Sequence, residues 1–227
     1  MKKSIFILSI ILLFAATSCV TTLQPLVTHN TVVADSRLEG KWEQDGQEYI
    51  VQKVFNSDLY RKYKDDLEKS RKANGKLSEK EKRDSILYSK SYIIKYIKDD
   101  INYELYGSVV RLNGRLFMNL TPADMNLPSP DNDTKKVINL SNTLYGYTIA
   151  RVEFSNNNTL KLDFIDGGYL YDQINAGHMK IKHETEELYD TFLITASTTE
   201  LQQFLEKYGN DSRFFNKENS VTLSRKS

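Results

Sequence analysis

Cysteine is nearly absent: Cys19 stands alone among 227 residues, so no disulfide can form within the chain. Tryptophan is as scarce, with Trp42 alone, and there are only four prolines. No sign of charge dominates, since 31 Lys and Arg face 30 Asp and Glu. That balance argues against nucleic acid as a partner, because duplex binding needs a basic face. Long apolar runs are missing too. Residues 5–15, broken only by Ser9, make a run of 11, too short to cross a hydrocarbon core of roughly 30 Å. Catalytic patterns also fail. There is no Gly-x-Ser-x-Gly and no Ser-x-x-Lys, and Gly167-Gly168 lacks the lysine and third glycine of a phosphate loop. His183-Glu184-Thr185-Glu186-Glu187 lacks the second histidine of a zinc-protease helix. His29 lies near the start, while His178 and His183, five apart, would face opposite sides of one strand. Asp131-Asn132-Asp133 starts like a calcium loop but is followed by no glycine or closing glutamate at the right spacing. Carboxylate pairs such as Asp65-Asp66, Asp99-Asp100 and Glu186-Glu187 fall in turns or charged runs rather than in a cleft. No catalytic residue, metal ligand or cofactor is expected.

What is present begins with an address. Lys2 and Lys3 precede the apolar run, and Ala16, Thr17 and Ser18 lead into Cys19, the layout of a secretory signal. Ala16-Thr17-Ser18-Cys19 resembles the bacterial lipobox, with Ala16 where leucine is more frequent. The resemblance implies removal of residues 1–18, diacylglycerol on the Cys19 sulfur and acylation of the new amino terminus. Acyl chains contribute ~0.8 kcal/mol per buried methylene, so several would hold the chain on a membrane. Loss of Lys2 and Lys3 takes the 31 basic residues to 29 against 30 acids, a net charge of −1. Val20 is not the aspartate of inner-membrane retention, and no acidic cluster follows it. The expected location is the bacterial cell envelope, on the periplasmic face of the outer membrane.

Residues 19–36 are expected to be the lipidated Cys19 and a tether. Residues 20–33 carry no charge unless His29 is protonated, and such a stretch reaches at most ~50 Å. Residues 37–227 are expected to form one β-rich domain. Leu116, Met118 and Leu120 alternate with Arg115 and Asn119, and Ala150, Val152 and Phe154 with Arg151 and Glu153. Leu160, Leu162 and Phe164, then Met179 and Ile181, repeat the pattern. A period of two calls for one buried sheet face and one wet face. Asn113-Gly114 suits a tight hairpin turn. With residues 49–55, 92–97, 103–112, 191–196 and 221–223, the expectation is an antiparallel meander closed as a barrel or sandwich.

Helices interrupt it. Ser197 and Glu200 have capping-box spacing, and Leu201, Phe204, Leu205 and Tyr208 follow at helical period before Gly209. This amphipathic helix is expected to cover one end of the sheet. A shorter one runs from Asp166 to Gly177. Residues 57–90 read as an inserted helical hairpin: 16 of the 24 residues from 61 to 84 are charged, Asn74-Gly75 breaks the run, and Ser78 with Glu81 makes a second capping box.

Gly40-Lys41-Trp42 resembles the opening Gly-x-Trp of lipocalins, in which the tryptophan plugs the barrel floor and an arginine near the end of the last strand packs over it. Arg225, after Val221-Thr222-Leu223, stands where that arginine would be. The stretches 115–122, 165–170 and 195–201 resemble a bacterial lipoprotein family without assigned activity, which implies a lipocalin-like barrel on a lipid anchor and transfers no catalytic residue.

Fourteen tyrosines and ten phenylalanines are the last feature. Tyr145, Tyr147 and Ile149 share the parity of Arg151 and Glu153, which leaves burial under a helix or an aromatic pocket open. The expected function is noncatalytic: a membrane-anchored module that binds an apolar ligand or docks on an envelope protein. The alternatives are an envelope hydrolase with a dispersed site and a structural accessory subunit.

Overall fold

The computed structural model describes residues 20–98, 101–127, 136–137, 146–186, 191–215 and 220–226. Cys19, the signal, the 99–100 turn, the 131–133 loop and Tyr145 lie outside the described residues.

The chain opens with β1 (Thr21–Thr22) and β2 (Val32–Val33), then β3 (Gly40–Gln44) and β4 (Gln47–Lys53). The helices α1 (Asp58–Asn74) and α2 (Glu79–Lys90) precede β5 (Tyr92–Lys98), β6 (Ile101–Leu112), β7 (Arg115–Leu127) and β8 (Lys136–Val137). After β9 (Tyr147–Asn156) and β10 (Thr159–Phe164) come α3 (Gly167–Asn175), β11 (His183–Glu186), β12 (Thr191–Ile194), α4 (Thr198–Tyr208) and β13 (Ser220–Arg225). The protein is mainly β, and eight antiparallel strands close into a lipocalin-like barrel in the order β9-β10-β13-β3-β4-β5-β6-β7, with β7 pairing back to β9. Closure leaves those strands no free edge.

Two turns are tight. Asp45-Gly46 and Asn113-Gly114 each place both residues at positive φ, as a two-residue hairpin matched to strand twist requires. Hairpin turns alternate between the barrel's ends. Asp45-Gly46, the end of β5 and the start of β6 lie at one end, the helical hairpin, Asn113-Gly114 and the β9–β10 turn at the other.

Two apolar cores result. Inside the barrel, Trp42, Val51, Ile94, Val109, Met118, Ala150, Val152, Leu160 and Leu223 pack together. Outside it, Val110, Phe117 and Ile149 meet a second layer made by Leu201, Phe204 and Leu205 of α4 together with Leu26, Val27 and Val32. The outward face is therefore not wet where β6, β7 and β9 meet this second layer. Asn119, expected in solvent, is buried and accepts the Leu26 N–H through its Oδ1.

Several expectations are corrected. Residues 20–33 are not a free tether: Val20, Leu26, Val27 and Val32 are buried, β1 pairs with β9 and β12, and β2 pairs with β6. Thr198 Oγ1 donates to the Pro25 carbonyl and Gln202 Nε2 to that of Leu26, which fastens the segment to α4. An uncharged, largely apolar stretch lowers its free energy by covering the apolar outer wall. Gly40-Lys41-Trp42 lies within the first barrel strand, β3, and the strand expected over 49–55 is the second. Residues 179–182 form no strand although Met179 is buried, and β11 and β12 extend the sheet through β1, outside the barrel. The α4 helix covers the barrel's side instead of an end, because Val110 and Phe117 supply an apolar face there. Gly209 ends it in an ordinary right-handed conformation; glycine is needed because a Cβ would collide with the Leu205 carbonyl and lie 2.7 Å from the Phe117 ring.

The inserted hairpin matches its reading. Ser57 accepts the Tyr60 N–H, Gly75 ends α1 in the left-handed region, and Ser78 and Glu81 form the reciprocal box. Tyr63 packs edge-on against Tyr88, and Tyr88 against Tyr106 of β6, so contact is made at the base while residues 71–76 are exposed.

Candidate functional site: the two ends of the barrel

The sealed end is built around Trp42, which is fully buried and donates through Nε1 to the Leu38 carbonyl at 2.9 Å. Leu38 ends a 3₁₀ turn, Ser36–Leu38, started by the Asp35 side chain accepting the Arg37 N–H. The Arg225 guanidinium lies 4.3 Å from the Trp42 ring centre and donates to the carbonyls of Glu39 (2.8 Å) and Arg37 (2.7 Å). A cation over an indole face with charge-assisted bonds to backbone is a strong local lock. Gly40 adopts φ +136°, and a Cβ there would come 2.5 Å from Arg225 Nη1, so both backbone and space call for glycine. Buried Tyr92 completes the floor: its hydroxyl accepts the Asp35 N–H at 2.7 Å and donates to the Asp35 carbonyl at 2.9 Å.

Tyr49 faces Trp42 directly across the β3–β4 pairing, and from there toward the other end of the barrel the lining changes. Tyr49, Tyr96 and Tyr103 pair across β4, β5 and β6 and share the inward parity of Val51 and Ile94. Tyr96 and Tyr103 stack with centroids 4.7 Å apart, and Tyr49 lies 5.3 Å from Tyr96. Gln47 Oε1 accepts from the Tyr96 hydroxyl at 3.0 Å and from that of Tyr49 at 3.4 Å. Whereas Trp42, Leu38 and Tyr92 are sealed from solvent at the floor, Tyr49, Tyr103, Leu105, Phe164 and Val221 are only half-buried. These inward-pointing side chains keep some solvent contact, and this partly exposed, tyrosine-lined mouth is here called the cup.

Burial, with neighbouring Tyr96 and Asp45 adding to it, pushes the Tyr49 phenol up to about 12, and burial raises Tyr103 as well. These phenols stay neutral near pH 7 and serve as aromatic faces with hydroxyl donors. Acid–base chemistry needs a group poised near the working pH, and neither phenol is one. The arrangement can bind a molecule with an apolar or aromatic body and one or two hydrogen-bonding groups.

The other site residues named from sequence lie elsewhere. Leu201, Phe204 and Leu205 are buried in the outer layer, away from the cup. Ile149 is buried with them, and Tyr147 is half-buried on the stretch of β9 that pairs with β1. His178 is exposed in the turn after α3 beside Gln173 Oε1. His183 alone is on a strand, where it stacks on Phe192 and has Ile181's carbonyl 2.9 Å from Nδ1. Among the described residues no three His, Cys, Asp or Glu converge to hold a metal, and no helix is long and apolar enough to cross a membrane.

Sequence reasoning missed the tyrosine triad, although Tyr49, Tyr96 and Tyr103 fall in expected strands. Parity alone would have aligned them, but only the strand register brings three phenols together. It also missed Asp163, fully buried among Arg151 (2.9 Å), Lys161 (2.6 Å) and the Ser220 hydroxyl. Burial raises its pKa, but the three donors outweigh this and lower it overall. Asp163 sits directly across from Arg151 in the β9–β10 register, which is an ion-pair lock on the barrel wall rather than a catalytic acid.

Comparison with protein-family models, curated proteins and solved structures finds no match to this chain.

Proposed function

We propose that this protein is a lipid-anchored, noncatalytic binding module of the bacterial envelope, holding an apolar or aromatic ligand in the tyrosine-lined end of its barrel. One observation carries the reading: the inward Leu38, Trp42 and Tyr92 are sealed, whereas Tyr49, Tyr103, Leu105, Phe164 and Val221 keep partial solvent contact around buried Tyr96. The neutral phenols favour binding over turnover, and the lipobox-like Ala16-Thr17-Ser18-Cys19 supports the anchor. With Val20 buried in the domain, acyl chains on Cys19 would hold the barrel against the headgroups instead of at the end of a long tether.

Titration with the neutral fluorescent probe N-phenyl-1-naphthylamine tests the site. Saturable binding of one probe per chain is expected, weakened roughly tenfold by Tyr103→Ala with the melting temperature little changed. Binding that never saturates, or that ignores both Tyr103→Ala and Tyr49→Ala, would overturn the reading. Globomycin treatment, which blocks lipoprotein processing, should leave the 1–18 segment uncleaved; normal cleavage would remove the anchor from the proposal.

A second reading, docking on an envelope protein, is favoured by Phe55, just before the helical hairpin, and Ile86, within α2, which are 59% and 42% exposed. Photo-crosslinks from position 55 in cells should then trap one discrete partner, and their absence would leave the cup as the functional element.

A further inference from the structure

A second surface carries its own chemistry. Beside the Asn113-Gly114 turn, at the floor rim, a depression of about 330 Å³ is lined by Arg37, Arg111, Arg115 and Arg151, with Glu153 the one carboxylate in its wall. The four cations come from separate elements: Arg37 from the 3₁₀ turn, Arg111 from β6, Arg115 from β7 and Arg151 from β9. Sequence spacing alone does not reveal the cluster, because the β7–β9 closure brings it together.

Their partners are unequally shared. Arg37 is held by Asp35 through two bonds, at 2.9 and 2.6 Å, and lies over the Phe154 ring. Arg151, about nine-tenths buried, gives Nη2 to Asp163 and Nη1 to the Gly209 carbonyl, over the Phe215 ring. Its buried Nε is 3.1 Å from Glu153 Oε1 yet makes no hydrogen bond of proper geometry. Arg115 has the same Glu153 oxygen at 3.5 Å and donates to Asn210. Arg111 gives one bond to the Gly114 carbonyl and has no carboxylate within 4.0 Å among the described residues. Glu153 therefore acts as an internal tenant, a carboxylate already seated between two guanidinium groups while Arg111 keeps its donors for another anion.

We propose that this depression binds an oxyanion of the phosphate type, with Arg111 and Arg115 as the principal donors and Arg151 and Arg37 supplying the field. Guanidinium groups present planar, paired donors that match phosphate oxygens. Glu153 sets affinity by competition: its carboxylate must be displaced or shared when the anion enters. The site is independent of the tyrosine-lined cup, since it lies on the outer rim of the sealed end. The same chemistry suits a free phosphate or phosphorylated small molecule and the phosphate of an anionic lipid headgroup.

The test uses the mature chain, residues 19–227, with Cys19→Ser so that vesicle binding reports the protein surface alone. Calorimetric titration with inorganic phosphate and with pyrophosphate, and flotation with phosphatidylglycerol against phosphatidylcholine vesicles, separate the two sources. Saturable binding of the soluble anions assigns a soluble ligand, and flotation with phosphatidylglycerol alone assigns the headgroup. In either case Arg111→Gln should weaken binding about tenfold, as loss of a charge-assisted bond does. Glu153→Gln should strengthen it, and raising salt should weaken it. Arg111 makes only a turn contact, so its variant should melt as the parent does. Binding to neither anion nor phosphatidylglycerol, or binding that Arg111→Gln leaves unchanged, would overturn the proposal. Tyr103→Ala, which empties the cup's aromatic wall, should leave phosphate binding intact.

Discussion

Arg225, two residues from the end of the chain, lies 4.3 Å over the ring of Trp42 and ties the last barrel strand to the first. Trp42 and Arg225 are directly paired in the β3–β13 register, so the same two residues join the strands through backbone and side chain. Arg225→Ala should lower stability by about 2 kcal/mol, combining a desolvated cation–π contact with lost carbonyl bonds. Arg225→Lys should recover less than half, because an ammonium cannot span the Glu39 and Arg37 carbonyls. Urea unfolding followed by Trp42 fluorescence gives both values, and equal stability of Arg225→Lys and the parent would show that charge alone matters.

The amino-terminal segment is part of the fold, and one core residue tests this. Leu26 is fully buried, its N–H bonded to Asn119 and its carbonyl to Gln202. Leu26→Ala is expected to cost about 2–5 kcal/mol, the range for a buried leucine. A loose tether would lose nothing. A melting curve unchanged by Leu26→Ala would return residues 20–33 to that role.

Phe204 is the aromatic centre of the outer layer, with Phe214 at 5.6 Å and Tyr208 at 4.8 Å. Phe204→Ala should cost about 3–5 kcal/mol, as deletions of buried aromatic groups do. Ser197→Ala, which removes the cap of the same helix, should cost about 1 kcal/mol. Paired denaturation curves measure the contrast. Near-equal losses would mean that α4 rests on the wall without being packed into it.

Acid should loosen the outer layer before the barrel. Hydrogen bonds from the Ser197 backbone and hydroxyl, with Lys182, lower the Glu200 carboxyl to about 2, and bonds from Arg213 and Tyr169 lower Asp211 to about 2. Both folded-state values lie below the ordinary carboxylate range of roughly 4. Their contribution is therefore complete above that range and is lost as pH falls from about 4 toward 2. Hydrogen exchange at pH 7 and pH 2.5 should show selective loss of protection in α4, reduced in Glu200→Gln. Uniform loss across barrel and helix would contradict this order.

The helical hairpin should be dispensable. Its tip is exposed and its packing is confined to Tyr63, Leu87, Tyr88 and the base. Replacing residues 62–85 with a short Gly/Ser linker should leave unfolding cooperative, with a midpoint shift of a few degrees. Loss of the folded domain would show that the Tyr63–Tyr88 contact is core.

Local chemistry was legible along the chain. Both capping boxes, the Asn113-Gly114 turn and the inward parity of Leu116, Met118 and Leu120 are short-range consequences of residue type, and each is found where spacing puts it. The pairing of Trp42 with Arg225 was legible only through its resemblance to other barrels, because 182 intervening residues carry no trace of proximity.

What tertiary structure alone decided is which polar-looking faces stay wet. Phe117 and Asn119 share a strand face with Arg115, and nothing within the strand says that residues 20–33 and α4 will cover it. Covering that apolar wall turned an apparent tether into core, and set Gly209, at the end of α4, close against Phe117. The tyrosine cup and the arginine depression have the same origin, since each gathers residues from three or more strands or turns. Periodicity and capping act over a few residues and can be read in order; closure of a barrel and the choice of what covers its wall depend on contacts between distant segments.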